Sequence, residues 1–136
     1  MVVVSPLFSK RVLIVDDNAM DRIYLKGCLK ALGFREIQEA EDGSIAQYKI
    51  DNSFKVNEPF DLLFIDLKMP RQNGMTLLER LKTHTKTHSL YIIMVTGSAD
   101  LGDVHEARLK GVNDFIVKPV DPEVLKVKIE TFMAQS

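Results

Sequence analysis

Val12-Leu13-Ile14-Val15-Asp16-Asp17-Asn18 sets four apolar, mostly β-branched residues directly against two carboxylates and an amide. An apolar run that does not alternate with polar residues predicts a strand buried on both faces, as in a parallel sheet between helix layers. Leu62-Leu63-Phe64-Ile65, Tyr91-Ile92-Ile93-Met94-Val95 and Phe115-Ile116-Val117 share that character. Ile37-Gln38-Glu39-Ala40 alternates, which suits an edge, and brings the expected strands to five.

Helical spacing fills the intervals. Met20, Ile23, Tyr24, Cys28 and Leu32 recur at threes and fours, and Gly33 supplies a stop. Met75, Leu77, Leu78 and Leu81 form a second helix after Gly74, and Val104, Ala107, Arg108 and Leu109 a third, stopped by Gly111. Val124, Leu125, Val127, Ile129 and Phe132 form the last, entered through a cap and first-turn proline at Asp121-Pro122. Ser44 to Ile50 is the least regular helix, and Asn52 to Pro59 is expected to be a polar loop. Strand and helix alternate throughout, so the expected fold is α/β: a doubly wound, five-stranded parallel sheet with helices on both faces. Residues 1–9 read as a loosely held leader and 10–136 as one domain.

Composition narrows the function classes. The chain has 136 residues, with 18 Lys+Arg against 19 Asp+Glu and a formal charge of −1, so no basic footprint marks a nucleic-acid surface. Nothing approaches the roughly 18 apolar residues of a membrane span. The lone Cys28 excludes an internal disulfide and fits a reducing compartment, so a cytoplasmic location is expected. Its position on an apolar helix face marks it as a small core residue rather than a reactive thiol. His84 and His88 are four apart but lie in a polar segment without a nearby third ligand, which makes them solvated surface residues.

In open parallel sheets the ligand site lies beyond the carboxyl ends of the strands. Asp16 and Asp17 follow the first apolar run, Asp66 follows the next central one, Thr96 follows Val95, and Lys118-Pro119 follows Val117. A single Asp at a strand end is more often a turn former or helix cap; the joint pattern over four strands points to chemistry. Three carboxylates on one rim repel one another unless a cation intervenes. All-oxygen ligands favour Mg²⁺ (or Mn²⁺), held by one or two carboxylates plus a phosphate. A carboxylate beside such an ion and an ammonium is placed to attack phosphorus, with Thr96 donating to a phosphoryl oxygen.

These residues resemble the receiver domain of two-component response regulators, the CheY-like class, from about Lys10 to Ala134. The matching blocks are Val12 to Asn18, Leu63-Phe64-Ile65-Asp66-Leu67-Lys68-Met69-Pro70 with Gly74, Ile93 to Gly97, and Gly111 to Pro119. The resemblance implies the flavodoxin-like strand order 2-1-3-4-5 and a cis Lys118-Pro119 bond. It implies Asp66 as phosphoacceptor from a histidine kinase or histidine phosphotransfer protein. Asp16, Asp17, Asp66 and the backbone carbonyl of Lys68 would hold Mg²⁺, while Thr96 and Lys118 would bind phosphoryl oxygens. Thr96 and Phe115 would form the conformational switch, Lys68 and Ser98 would flank the path of attacking water, and Met20, Ile23, Tyr24 and Pro119 would meet the phosphodonor. The output would be an unidentified downstream protein, with no direct nucleic-acid or membrane binding, from a monomer or weak phosphorylation-dependent dimer. Two rivals fare worse. A haloacid-dehalogenase-type phosphatase needs an Asp where Lys68 stands, and an FMN carrier needs a Ser/Thr/Gly-rich loop where Asp16-Asp17-Asn18 stands.

Overall fold

The computed structural model of the protein describes residues 6–69, 73–97 and 100–135. Elements alternate as β1 (Arg11–Val15), α1 (Ala19–Leu32), β2 (Glu36–Ala40), α2 (Gly43–Lys55), β3 (Leu62–Ile65), α3 (Gly74–Thr83), β4 (Tyr91–Thr96), α4 (Leu101–Leu109), β5 (Asp114–Val117) and α5 (Pro122–Ala134). The sheet order is β2-β1-β3-β4-β5, with every pairing parallel, as expected.

The period-2 geometry of each strand divides the core in two. Val12, Ile14, Leu62, Phe64, Ile93 and Val95 face one side, where Leu25 and Leu29 of α1 and Leu125, Ile129 and Phe132 of α5 cover them. Leu13, Val15, Leu63, Ile65, Ile92 and Met94 face the other, under Ala46 and Ile50 of α2, Leu77, Leu78 and Leu81 of α3, and Ala107 of α4. The three central strands are therefore apolar without alternation because both faces are dry. Phe64 is 1% exposed in the middle of the sheet. Phe64→Ala is expected to cost about 3–5 kcal/mol, read as a lowered midpoint in denaturant at unchanged slope.

Capping residues fix where helices begin. Asp42 Oδ1 accepts from the Ile45 amide at 2.9 Å, Asn73 Oδ1 from the Thr76 amide at 2.9 Å, and Asp121 Oδ1 from the Glu123 amide at 2.8 Å, with Pro122 opening α5. Gly33 ends α1 with φ 119°, a left-handed conformation that favours glycine.

The structure departs from several expectations. α2 continues to Lys55, so the loop expected from Asn52 to Pro59 opens only at Val56. The Ser53 hydroxyl returns a hydrogen bond to the Ile50 carbonyl at 2.6 Å and Phe54 packs on the core, so a polar stretch remains helical. Phe115-Ile116-Val117 does not lie buried on both faces: β5 is an edge strand and Val117 is 56% exposed. Leu109 is 75% exposed, because it lies about 200° round the helix from the buried Ala107. Cys28 is half-buried at the margin of the α1–α5 side rather than within the core. Of the expected leader, Leu7 is buried against the same side of the sheet, and its carbonyl accepts from the Lys10 amide at 3.1 Å.

Candidate functional site

Parallel pairing brings the carboxyl ends of β1, β3, β4 and β5 to one rim. The ladder runs slightly past the strand ends and fixes the backbone of the rim residues. The Asp16 amide donates to the Ala40 carbonyl at 3.0 Å, the Asp66 amide to Val15 at 2.9 Å, and the Lys118 amide to Thr96 at 2.8 Å. Asp16, Asp66 and Thr96 are buried, and Asp17 is exposed at the mouth. Further bonds orient the carboxylates: Asp16 Oδ1 accepts from the Asn18 amide at 2.9 Å and Asp66 Oδ1 from the Lys68 amide at 3.3 Å. The guanidinium of Arg22 donates to the Asp16 carbonyl and pairs with Glu39 at 3.1 Å, tying α1 to β1 and β2.

Lys118 reaches back across the sheet into this cluster. Its ammonium lies 2.7 Å from Asp16, 2.8 Å from Asp21 and 3.2 Å from Asp66. Burial and then the neighbouring Asp16 charge push the Asp66 carboxyl above the usual carboxylate range, against the pull of Lys118. Burial alone would lower the Lys118 ammonium; hydrogen bonds to Asp16 and Asp21 and the charges of Asp66 and Asp16 outweigh it, so its pKa is raised. One carboxylate oxygen each from Asp16, Asp17 and Asp66 lies within 4.8 Å of the others. Three converging oxygens, one of them on a carboxyl whose ionisation is penalised, suit a small, hard divalent cation.

The cis Lys118-Pro119 bond is present. Phe115 is half-buried against the α2–α4 side of the core, and its register partner on β4 is Met94, two residues before Thr96. Met20, Ile23 and Tyr24 are exposed, and the Tyr24 hydroxyl donates to the Val120 carbonyl at 2.9 Å. A cleft of about 210 Å³ joins Tyr24 and Pro119 to Asp16, Asp21 and Lys118. The Lys68 side chain is exposed; Ser98 lies outside the described residues. His84 and His88 are exposed, and Asp16, Asp17 and Asp66 are the one group of three or more metal-ligand residues among the described residues.

The response regulator receiver domain family matches residues 12–130, a span that contains the whole cluster. The chain belongs to that family. The receiver is 35% identical over 123 residues to the chemotaxis protein CheY1 of Helicobacter pylori, covering 90% of this chain and 96% of that one. A solved CheY-like receiver domain from Methanospirillum hungatei superposes with a TM-score of 0.79 at 35% identity, covering 93% and 95% of the two chains. A CheX–CheY complex with BeF3 and Mg²⁺ from Borrelia burgdorferi superposes at 0.80 with 31% identity, over 90% and 89%. These relatives support the receiver reading, and nothing among them supports the phosphatase.

Two features of this receiver escape the sequence pattern. Asp21 meets Lys118 although 97 residues separate them; in sequence it looks like any acid in a helix's first turn, where it complements the helix dipole. Gly74 stands so close to the phosphoacceptor candidate that a Cβ there would lie 2.0 Å from the Asp66 carbonyl oxygen. In sequence Gly74 shows only that it precedes the helix, not what it must leave room for. No helix among the described residues is long and apolar enough to cross a membrane.

Proposed function

We propose that this receiver accepts a phosphoryl group on Asp66 from a phosphohistidine of a kinase or phosphotransfer protein, and thereby switches a protein-binding face. The observation that carries the reading is the convergence of Lys118 on Asp16 and Asp66, at 2.7 and 3.2 Å, beside the three-carboxylate cluster. An Asp66 oxygen forms the new bond to phosphorus as the donor's N–P bond breaks, and the departing imidazole keeps the electron pair and takes a proton. Lys118 holds one phosphoryl oxygen by a charge-assisted hydrogen bond, and the Thr96 hydroxyl donates to another. Asp16, Asp17, Asp66 and the Lys68 carbonyl are the groups that would hold Mg²⁺ or Mn²⁺, which when bound neutralises charge on the phosphoryl oxygens. The exposed Met20, Ile23 and Tyr24, with Pro119 across the cleft, form the docking face for the donor. The Borrelia complex, in which a CheY is paired with another protein, supports binding to a protein partner. The exposed Lys68, two residues after Asp66, flanks the water path and sets the lifetime of the phosphorylated state.

Thr96 moves toward the new oxygens and Phe115 turns into the space it leaves, altering the face built by α4, β5 and α5. Phe115→Ala is expected to take phosphate at a rate within about twofold of wild type, because the ring carries no group that can bind a phosphoryl oxygen. It should lose most of the phosphorylation-dependent amide shifts on α4 and β5 in a ¹H–¹⁵N spectrum; an unchanged set of shifts would remove Phe115 from the switch. The phosphoacceptor assignment is tested by incubating wild type and Asp66→Asn with acetyl phosphate and Mg²⁺ and measuring intact mass. One added phosphoryl group on wild type alone supports it, and labelling of both or neither rejects it.

A further inference from the structure

We infer that Asp21 is a releasable latch on Lys118, an inference that rests on the phosphoacceptor reading. An ammonium has three N–H donors, and the three on Lys118 meet Asp16 at 2.7 Å, Asp21 at 2.8 Å and Asp66 at 3.2 Å. Lys118 is therefore saturated before any phosphoryl oxygen arrives. To hold one, it must let a carboxylate go.

Exposure selects which. The Asp21 side chain is 44% exposed, against 7% for Asp16 and 9% for Asp66. A carboxylate released into water regains its hydration, whereas Asp16 and Asp66 are buried and are also the groups that would hold the metal, so Asp21 is the one free to leave. Among the described residues, the Asp21 carboxylate meets no hydrogen-bond donor other than Lys118. Asp21 sits on the first turn of α1, one residue from Met20 and two from Ile23 on the proposed donor-docking face. Its charge also stands at the mouth of the cleft that an anionic donor must enter. Asp21 thus positions Lys118 in the unphosphorylated state and competes with the phosphoryl group for it. It is a positioning residue that slows transfer, since it makes no contact with Asp66's reacting oxygen except through the lysine.

The test compares wild type, Asp21→Asn and Asp21→Glu at saturating Mg²⁺. The readouts are the second-order rate constant of phosphorylation by acetyl phosphate and the half-saturating concentration of beryllofluoride, a phosphoryl mimic. Asp21→Asn should phosphorylate about threefold to fivefold faster and bind beryllofluoride tighter by a similar factor, the worth of one partly exposed ion pair. Asp21→Glu, which keeps the charge and can still reach, should return toward wild type. A merely structural role for Asp21 as a first-turn acid would slow phosphorylation and weaken beryllofluoride binding, or leave both alone, and would show in the melting temperature instead. Equal rates in wild type and Asp21→Asn, or a slower Asp21→Asn, overturn the latch while leaving the phosphoacceptor reading intact. Failure of wild type itself to gain a phosphoryl group rejects both.

Discussion

Asp66→Asn is expected to abolish phosphoryl transfer and, in metal-free buffer at neutral pH, to make the protein more stable than wild type. The two effects share one cause. The Asp66 carboxyl is raised above its ordinary value, first by burial and then by the Asp16 charge, and this outweighs the pull of Lys118 at 3.2 Å. A carboxyl whose folded pKa exceeds its unfolded value lowers stability when ionised. That cost is full above the folded pKa and fades as pH falls toward the unfolded value. The amide of Asn keeps the shape without the charge, so the variant should melt higher at neutral pH, by roughly 3 °C for each kcal/mol gained. The advantage should shrink on acidification through the folded pKa, as wild-type Asp66 takes up its own proton. Melting curves of both proteins in chelator across that pH range check this directly. A less stable Asn variant at neutral pH would mean that Lys118 outweighs burial and Asp16.

The second large effect is expected at Gly74→Ala. A Cβ at Gly74 would stand 2.0 Å from the Asp66 carbonyl oxygen, 2.8 Å from its carbonyl carbon and 3.0 Å from Ile65 Cγ2. Two of those neighbours are backbone atoms, which no rotamer change can move. The Gly74 amide also donates to the Leu67 carbonyl at 2.7 Å, so α3 cannot step back without losing that bond. Overpacking of this kind usually costs about 1–3 kcal/mol, and a backbone clash belongs at its upper end. Because the displaced atoms belong to Asp66, activity should fall beyond what the stability loss explains. A shift of about 1 Å in a reacting group can cost on the order of a hundredfold in rate. Thermal unfolding and the rate of labelling by acetyl phosphate, measured on the folded fraction, separate the two losses. A Gly74→Ala protein with wild-type stability and rate would show that α3 and Asp66 do not approach this closely.

Much of the molecule was legible from local chemistry. The unbroken runs Val12 to Val15, Leu62 to Ile65 and Tyr91 to Val95 identified buried parallel strands, because only burial on both faces removes the need for alternation. The residues just after them identified the rim, since parallel strands deliver their carboxyl ends to one edge. Local pattern failed where coverage changes along an element. Val117 and Leu109 are apolar yet exposed, and Ser53 is polar yet buried in a helix. Which face a neighbour covers is not written into a short stretch of chain.

The alternation of elements, the acids and lysine at the strand ends, and the helix signals at Gly33 and Asp121-Pro122 are all readable from the chain. Each follows from interactions within a few residues or from the two-fold and 3.6-fold periods of strand and helix. The tertiary structure alone decided that Lys118 would be shared among Asp16, Asp21 and Asp66, that Tyr24 would bond to Val120, and that Gly74 would leave room for the Asp66 backbone. These are contacts between remote segments, brought together only when both helix layers close on the sheet, and their distances set how the carboxylates share one ammonium.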